Sequence, residues 1–418
     1  MLLNKNIKNR INLVLNEEYS NKKILFEKGL GSKIFSGRKK FTDLSFGAGS
    51  LLLGHNSNIY KYAIKSLLKK NISMLASPNI QADNFSKLLK KIFPKYSKFI
   101  YCNSGTEAII KSLRICKAIT KKDLIIAVTG SWHGSVDKLL FSIDKKLKPV
   151  DLSGGLSSVD RKNIKFIPYN DIKTSKKILE RYKKRASCII IEPIQGCLPL
   201  ASSKKYLKFL CKFSKKNKIV LIFDEMITGL RIDCKSVQSY FNLKPDISTF
   251  GKCLGGGMPI GIIAISRKIE KLISKNKKKV FFGGTFSGNS ISSYVGMITT
   301  KYIIQNKYKI FSDLEKKSLF FQTTLNKFIK KNNIDAFVYR FKSILRLVFS
   351  SQKVLNRMER DFLESKKNKG INKLKSFLFK SGIYYPPSGI IFMSTSISNS
   401  DLKYLTNSFS MGIKKFIK

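Results

Sequence analysis

Five short runs along the chain are almost wholly apolar and rich in β-branched residues, and each closes on polar or turn residues. They are KFIYCNSG (98–105), LIIAVTG (124–130), CIIIEP (188–193), IVLIFDE (219–225) and IGIIAIS (260–266). Runs that do not alternate read as strands buried on both faces, as in a parallel sheet. Between them lie stretches with helical spacing: Gly105 to Thr120 repeats apolar residues every three or four positions, and Lys204 to Asn217 is amphipathic. Strand and helix therefore alternate, which predicts an α/β domain over about residues 43–305. After residue 306 the pattern changes to charged helical stretches with two strand-like runs, ILRLVFSS and GIIFMSTS. Residues 306–418 read as a smaller α+β domain, joined by the segment 1–42.

In open α/β sheets ligands sit beyond the carboxyl ends of the strands. Ser104, Glu192 and Asp224 each fall at such an end, so they are expected to converge on one crevice. NSGTEAIIKSLR (103–114) takes a strand end through a Ser-Gly-Thr turn into a helix. Free N–H groups and the positive end of the helix dipole make Ser104, Gly105 and Thr106 a candidate phosphate cup. Ser or Thr at a helix start is more commonly only a cap. The apolar run ending in Asp224-Glu225 also suits a nucleotide-hydrolysing motor, but that needs an upstream G-x-x-x-x-G-K-[ST] loop, and no stretch fits.

Composition sharpens the reading at one position. The 418 residues carry 80 Lys plus Arg against 26 Asp plus Glu, a formal charge of +54. The excess is mostly lysine spread evenly, which reads as compositional drift rather than the clustered face of a nucleic-acid binder. Yet between Pro245 and Ser266 the only Lys or Arg is Lys252, set among Gly251, Gly255, Gly256 and Gly257. A lysine isolated in an apolar, glycine-lined place can be neutral and nucleophilic, suited to a Schiff base with a carbonyl. A phosphate cup, an acid for a ring nitrogen and such a lysine together suit pyridoxal phosphate. Seven cysteines without a C-x-x-C pair, and two histidines, argue against a disulfide framework or a zinc cluster and for a reducing, cytoplasmic setting. The opening MLLNKNIKNRINLVLN is basic, loosely like an amphipathic targeting segment. It lacks the apolar stretch of a secretory signal, and no run in the chain reaches membrane-spanning length.

LLLGH (51–55), NSGTEA, SWHG, IIEPIQG, FDEMITGLR, GKCLGGGMPIG and GGTFSGNSIS occur in an order that resembles the class III aminotransferases. These are fold-type-I pyridoxal phosphate enzymes, and the nearest flavour is glutamate-1-semialdehyde 2,1-aminomutase and its transaminase relatives. The resemblance is clear over about residues 20–300 and weak in the tail. It implies a large, mostly parallel α/β domain with a smaller α+β domain. It makes Lys252 the Schiff-base lysine and Asp224 the partner of the pyridine nitrogen. It places Trp132 and His133 against the ring, Glu192 nearby, and Gly105 and Thr106 at the phosphate. It also implies that Thr285 reaches the phosphate of a partner subunit's cofactor, and hence a homodimer.

Substrate residues depart from the pattern. Cys197 stands where many members carry Glu. The segment NEEYSNKKILFEKGLGSK has only lysines where the aminomutase has an arginine. YYPPSGIIFMSTS lacks the mutase's acidic stretch. Ser50, Cys197 and Arg346, or Arg231, are the candidates left for contacting substrate; each arginine has a structural ion pair as its ordinary role. These departures favour transamination between a small amino donor and a carbonyl acceptor. The aminomutase is the alternative, and a non-catalytic polyanion binder ranks third because Lys252 and Asp224 are both present.

Overall fold

The computed structural model describes residues 24–143 and 148–417. The basic opening stretch lies outside the described residues. Seven strands form the central sheet, in the order Tyr96–Cys102, Gly261–Ser266, Ile247–Gly251, Val220–Asp224, Ala186–Ile191, Leu124–Val128 and Ile164–Ile167. Six run parallel, and Gly261–Ser266 is antiparallel to both of its neighbours. The apolar run at 260–266 thus departs from the parallel reading. Residues 252–260 are shorter than the roughly twelve residues a parallel crossover needs. A strand buried on both faces is near-continuously apolar in either direction, so its pattern does not reveal its sense.

The helix Gly105–Thr120 begins where expected, with Ser104 as its cap: the Ser104 hydroxyl accepts from Glu107 N at 3.2 Å. The amphipathic run at 204–217 forms Ser203–Lys216, which buries Tyr206, Leu207, Leu210 and Phe213. ILRLVFSS and GIIFMSTS supply Ile344–Val348 and Ile390–Phe392; Ile344–Val348 pairs with both Phe337–Phe341 and Ile390–Phe392, as the middle of a three-stranded antiparallel sheet. In the N-terminal sheet Lys39–Asp43 pairs in parallel with Ile383–Tyr384. One core cluster runs from Phe85 and Phe250 to Leu314, Leu374 and Phe409, so the C-terminal elements share apolar packing with the central sheet. Among the described residues no helix is long and apolar enough to cross a membrane.

Candidate active site

Five strands of the sheet deliver their carboxyl ends to one edge, and a cavity of about 460 Å³ opens there. Its wall includes Ser104, Gly105 and Thr106, Trp132 and His133, Glu192, Asp224, Lys252, and Ser50 from the N-terminal side. Parallel strands explain the convergence: residues far apart in sequence end on the same side of the sheet.

Asp224 is 4% exposed and held from three directions. Its Oδ1 accepts from Thr249 Oγ1 at 3.0 Å and from Met226 N at 3.1 Å. Its Oδ2 lies 2.7 Å from His133 Nδ1. An ionised carboxylate cannot donate, so Nδ1 carries the hydrogen of that bond. His133 Nε2 is buried without a partner among the described residues. His133 thus acts on Asp224, and Trp132, 57% exposed, forms the outer wall rather than core.

Glu192 also lines the cavity, with both oxygens engaged: Trp132 N donates to Oε1, and Gly196 N donates to Oε2 at 3.2 Å. Burial, reinforced by the charge of Asp224, pushes its carboxyl above the usual range. Lys252 follows the strand Ile247–Gly251 directly and has φ of 47°, left-handed for a residue with a side chain. Burial pushes its amine below the usual lysine range, while the charges of Glu192 and Asp224 pull the other way.

Four of the candidate residues do not reach the cavity wall. Cys197 Sγ donates to Gly130 O at 3.2 Å. Arg346 is 7% exposed, with Nη2 donating to Glu364 Oε2 at 3.1 Å and Nη1 to Ser388 O. Thr285 is exposed, outside the cavity of its own chain. Arg231 is wholly buried and spends its donors on Gly49 O, Met393 O and Ser343 Oγ. Sequence reasoning missed Asn103, Met226, Ile227 and Met258 on the wall and Thr249 behind Asp224. Four of these lie within the quoted motifs, beside residues that were assigned roles, and that position is the signal that could have found them.

Comparison with known proteins identifies the family and the fold. The profile of the family Aminotransferase class-III matches residues 14–377. A glutamate-1-semialdehyde 2,1-aminomutase of Methanosphaera stadtmanae is 32% identical over 395 residues, 93% of this chain and 91% of that protein. The protein of that name from Methanocaldococcus jannaschii is 32% identical over 367 residues, 86% of this chain and 84% of its own. Among solved structures, an omega-transaminase from Sphaerobacter thermophilus superposes with a TM-score of 0.86 at 20% identity, covering 93% of this chain and 90% of that one. A glutamate-1-semialdehyde-aminomutase from Pseudomonas aeruginosa PAO1 in complex with PMP gives 0.85 at 17% identity, covering 94% and 88%. With a sheet edge built for one cavity and a family match over most of its length, the chain belongs to the class III aminotransferases, with their fold-type-I architecture.

Proposed function

We propose that this class III enzyme is an aminomutase of the glutamate-1-semialdehyde 2,1 type, moving an amino group between carbons 2 and 1 of one small substrate on pyridoxal 5′-phosphate. The observation that carries the reading is the span of the similarity: a relative of that name aligns over 93% of this chain and 91% of its own length.

The residues present fit the cofactor. At the helix start, the first N–H groups, those of Gly105 and Thr106, have no acceptor within the helix and are available to a phosphate. At the other side Asp224 presents a carboxylate whose position three donors fix. Lys252 borders the same cavity. When bound, pyridoxal phosphate supplies an aldehyde for the lysine amine and a ring that accepts electrons. Asp224 would offer its charge to the ring nitrogen, and His133 would keep that carboxylate oriented. Glu192, by holding Trp132 N, keeps the indole over the cavity. Lys252 Nζ, whose charged form burial disfavours, would take the proton from the substrate's amine-bearing carbon and return it to the acceptor carbon. One amine thus serves as anchor and as proton carrier. Thr285, exposed on its own chain, completes the site of a second copy in a homodimer.

A second reading, transamination between separate donor and acceptor, has its own support. Among the residues lining the cavity Lys252 is the only Lys or Arg, while Arg231 and Arg346 are engaged elsewhere. The described wall thus offers no spare cation for the carboxylate of glutamate semialdehyde. The two readings separate when glutamate 1-semialdehyde is supplied with no second carbonyl compound. A mutase turns over repeatedly. Its sole product is an isomer of the same mass, whereas a transaminase, using the aldehyde of one molecule as acceptor for the amine of another, yields a diamine and a dicarbonyl in equal amounts, and that result sinks the mutase reading. In parallel, Lys252→Ala is expected to cut kcat by about 10⁴-fold or more. Borohydride reduction should attach the cofactor to the Lys252 peptide of the unaltered protein and to nothing in the variant.

A further inference from the structure

Among the described residues Arg231 is the largest wholly buried side chain, and its guanidinium meets only neutral oxygens there. Nη2 donates to Gly49 O at 2.9 Å, and Nη1 donates to Met393 O at 3.1 Å and, at the long limit of 3.4 Å, to Ser343 Oγ. The guanidinium carbon lies 4.9 Å from the centre of the Phe392 ring, and Nε has no partner among the described residues. A buried cation without a counter-charge is normally excluded from a protein interior. Its neighbours indicate what it does there.

Phe46, Gly47, Ala48 and Gly49 form a left-handed turn, with φ of 45°, 60°, 53° and 87°. Phe46 and Ala48 do not adopt that region willingly, so something outside the turn must hold it. Asp43 anchors its start by accepting from Ser45 N at 2.7 Å and Phe46 N at 3.0 Å. Its end is the carbonyl of Gly49, which accepts from Arg231 and also from Cys253 Sγ at 3.2 Å. A side chain on Gly49 would meet the Phe392 ring at 2.9 Å, so the ring that faces Arg231 also fixes the path of the turn. The next residue, Ser50, lines the cavity with Lys252, and Cys253 follows Lys252 directly. Beyond the burial that dominates the lysine's environment, the charge of Arg231 also disfavours a second positive charge at Lys252.

We propose that Arg231 is a positioning residue of the active site: through the Gly49 carbonyl it holds the left-handed turn against Lys252–Cys253, sets Ser50 on the cavity wall, and keeps an uncompensated positive charge near the lysine amine. The inference rests on the reading of Lys252 as the reactive amine.

The test uses full-length Arg231→Met and Arg231→Lys proteins. In the cofactor-free state, competitive acetylation with acetic anhydride across pH, read as the mass of the Lys252 peptide, gives the midpoint of that amine without turnover. The midpoint is expected to rise by about half a pH unit or more in Arg231→Met. In Arg231→Lys, which keeps the charge, it should stay within about 0.2 unit of the unaltered protein. A mere structural staple would lower the thermal stability of both and move neither midpoint. An unshifted midpoint in folded Arg231→Met, or an equal shift in both, overturns the proposal. If Arg231→Met does not fold, amide exchange over residues 45–51 of Arg231→Lys decides. A single ammonium cannot reproduce the fork over Gly49 and Met393, so exchange should accelerate at least about tenfold, and unaltered exchange overturns the proposal. Failure of the underlying reading would look different: no cofactor fixed at Lys252 by borohydride in the unaltered protein.

Discussion

Two adjacent carboxylates close the strand Val220–Asp224, and the structure gives them opposite tasks. Asp224 faces the cavity, while Glu225 points into the protein with no exposed surface. Glu225 accepts from Val237 N at 2.8 Å, Gln238 N at 2.9 Å and Thr228 Oγ1 at 2.7 Å. Burial nevertheless pushes its carboxyl up to about 7, from an ordinary 4.5. Between those values the folded chain binds a proton that the unfolded chain has released. The contribution of this group is therefore fully present below about 4.5 and is lost as pH rises through about 7. Glu225→Gln, which cannot titrate, isolates the effect. The stability of the unaltered protein relative to the variant should fall between pH 5 and 8 by up to about 3 kcal/mol, measured by urea denaturation. A constant difference over that range would refute the assignment. The Lys252 amine offers a second residue-scale test. The charge of Glu192 opposes that desolvation most strongly, so Glu192→Gln should lower the pH at which the amine titrates further still, read by pH-dependent labelling of the Lys252 peptide.

At the scale of elements, the helix start at Gly105 and the strand end at Gly251 both close on Met226. The three atoms nearest a methyl group on Gly105 would all belong to the Met226 side chain, at 3.1 to 3.3 Å, and a flexible thioether can move aside. On Gly251 it would meet Met226 Sδ at 2.4 Å and also the backbone oxygen of Ile260 at 2.7 Å, which cannot. Gly105→Ala should therefore cost less than about 1 kcal/mol, and Gly251→Ala about 2 kcal/mol or more, in urea denaturation of the cofactor-free proteins. Equal costs would refute the packing argument. The elements themselves were the most legible part of the chain. Helical spacing at 105–120 and unbroken apolar runs at four parallel strands followed directly from burial on one or both faces. The direction of Gly261–Ser266 was not legible, because burial on both faces erases the difference. Neither was the bond from His133 to Asp224, nor the committed state of Arg231 and Arg346, since each depends on partners tens to hundreds of positions away. Lys252 could be found because a lysine-rich background made its isolation informative.

The whole molecule adds a surface the single chain leaves open. The segments 73–80 and 281–290 are stitched together: Leu75 N donates to Ser290 Oγ at 3.0 Å, and Asn79 Nδ2 donates to Gly288 O at 2.9 Å. Between them they expose Met74, Leu75, Ile80, Phe281 and Phe286, the last two at 69% and 52%. Large apolar side chains grouped this way, on a protein of formal charge +54, are unusual for a solvated surface. Like-charged copies repel at long range, and added salt screens that repulsion over about 10 Å at 0.1 M, so an association through this face would draw on the apolar contact. Thr285 lies in the same stretch, beside Phe286 and away from its own cavity. If a second copy covers this face, Phe286→Asp places a charge in the contact. It should convert the protein to monomers in sedimentation, and weaken pyridoxal phosphate binding about tenfold or more in an absorbance titration, through loss of the neighbouring Thr285. Dissociation is expected to be easier at low salt, where repulsion between the two basic chains is least screened. A variant that stays dimeric, or one that becomes monomeric and binds the cofactor unchanged, would show that this face does not complete the site.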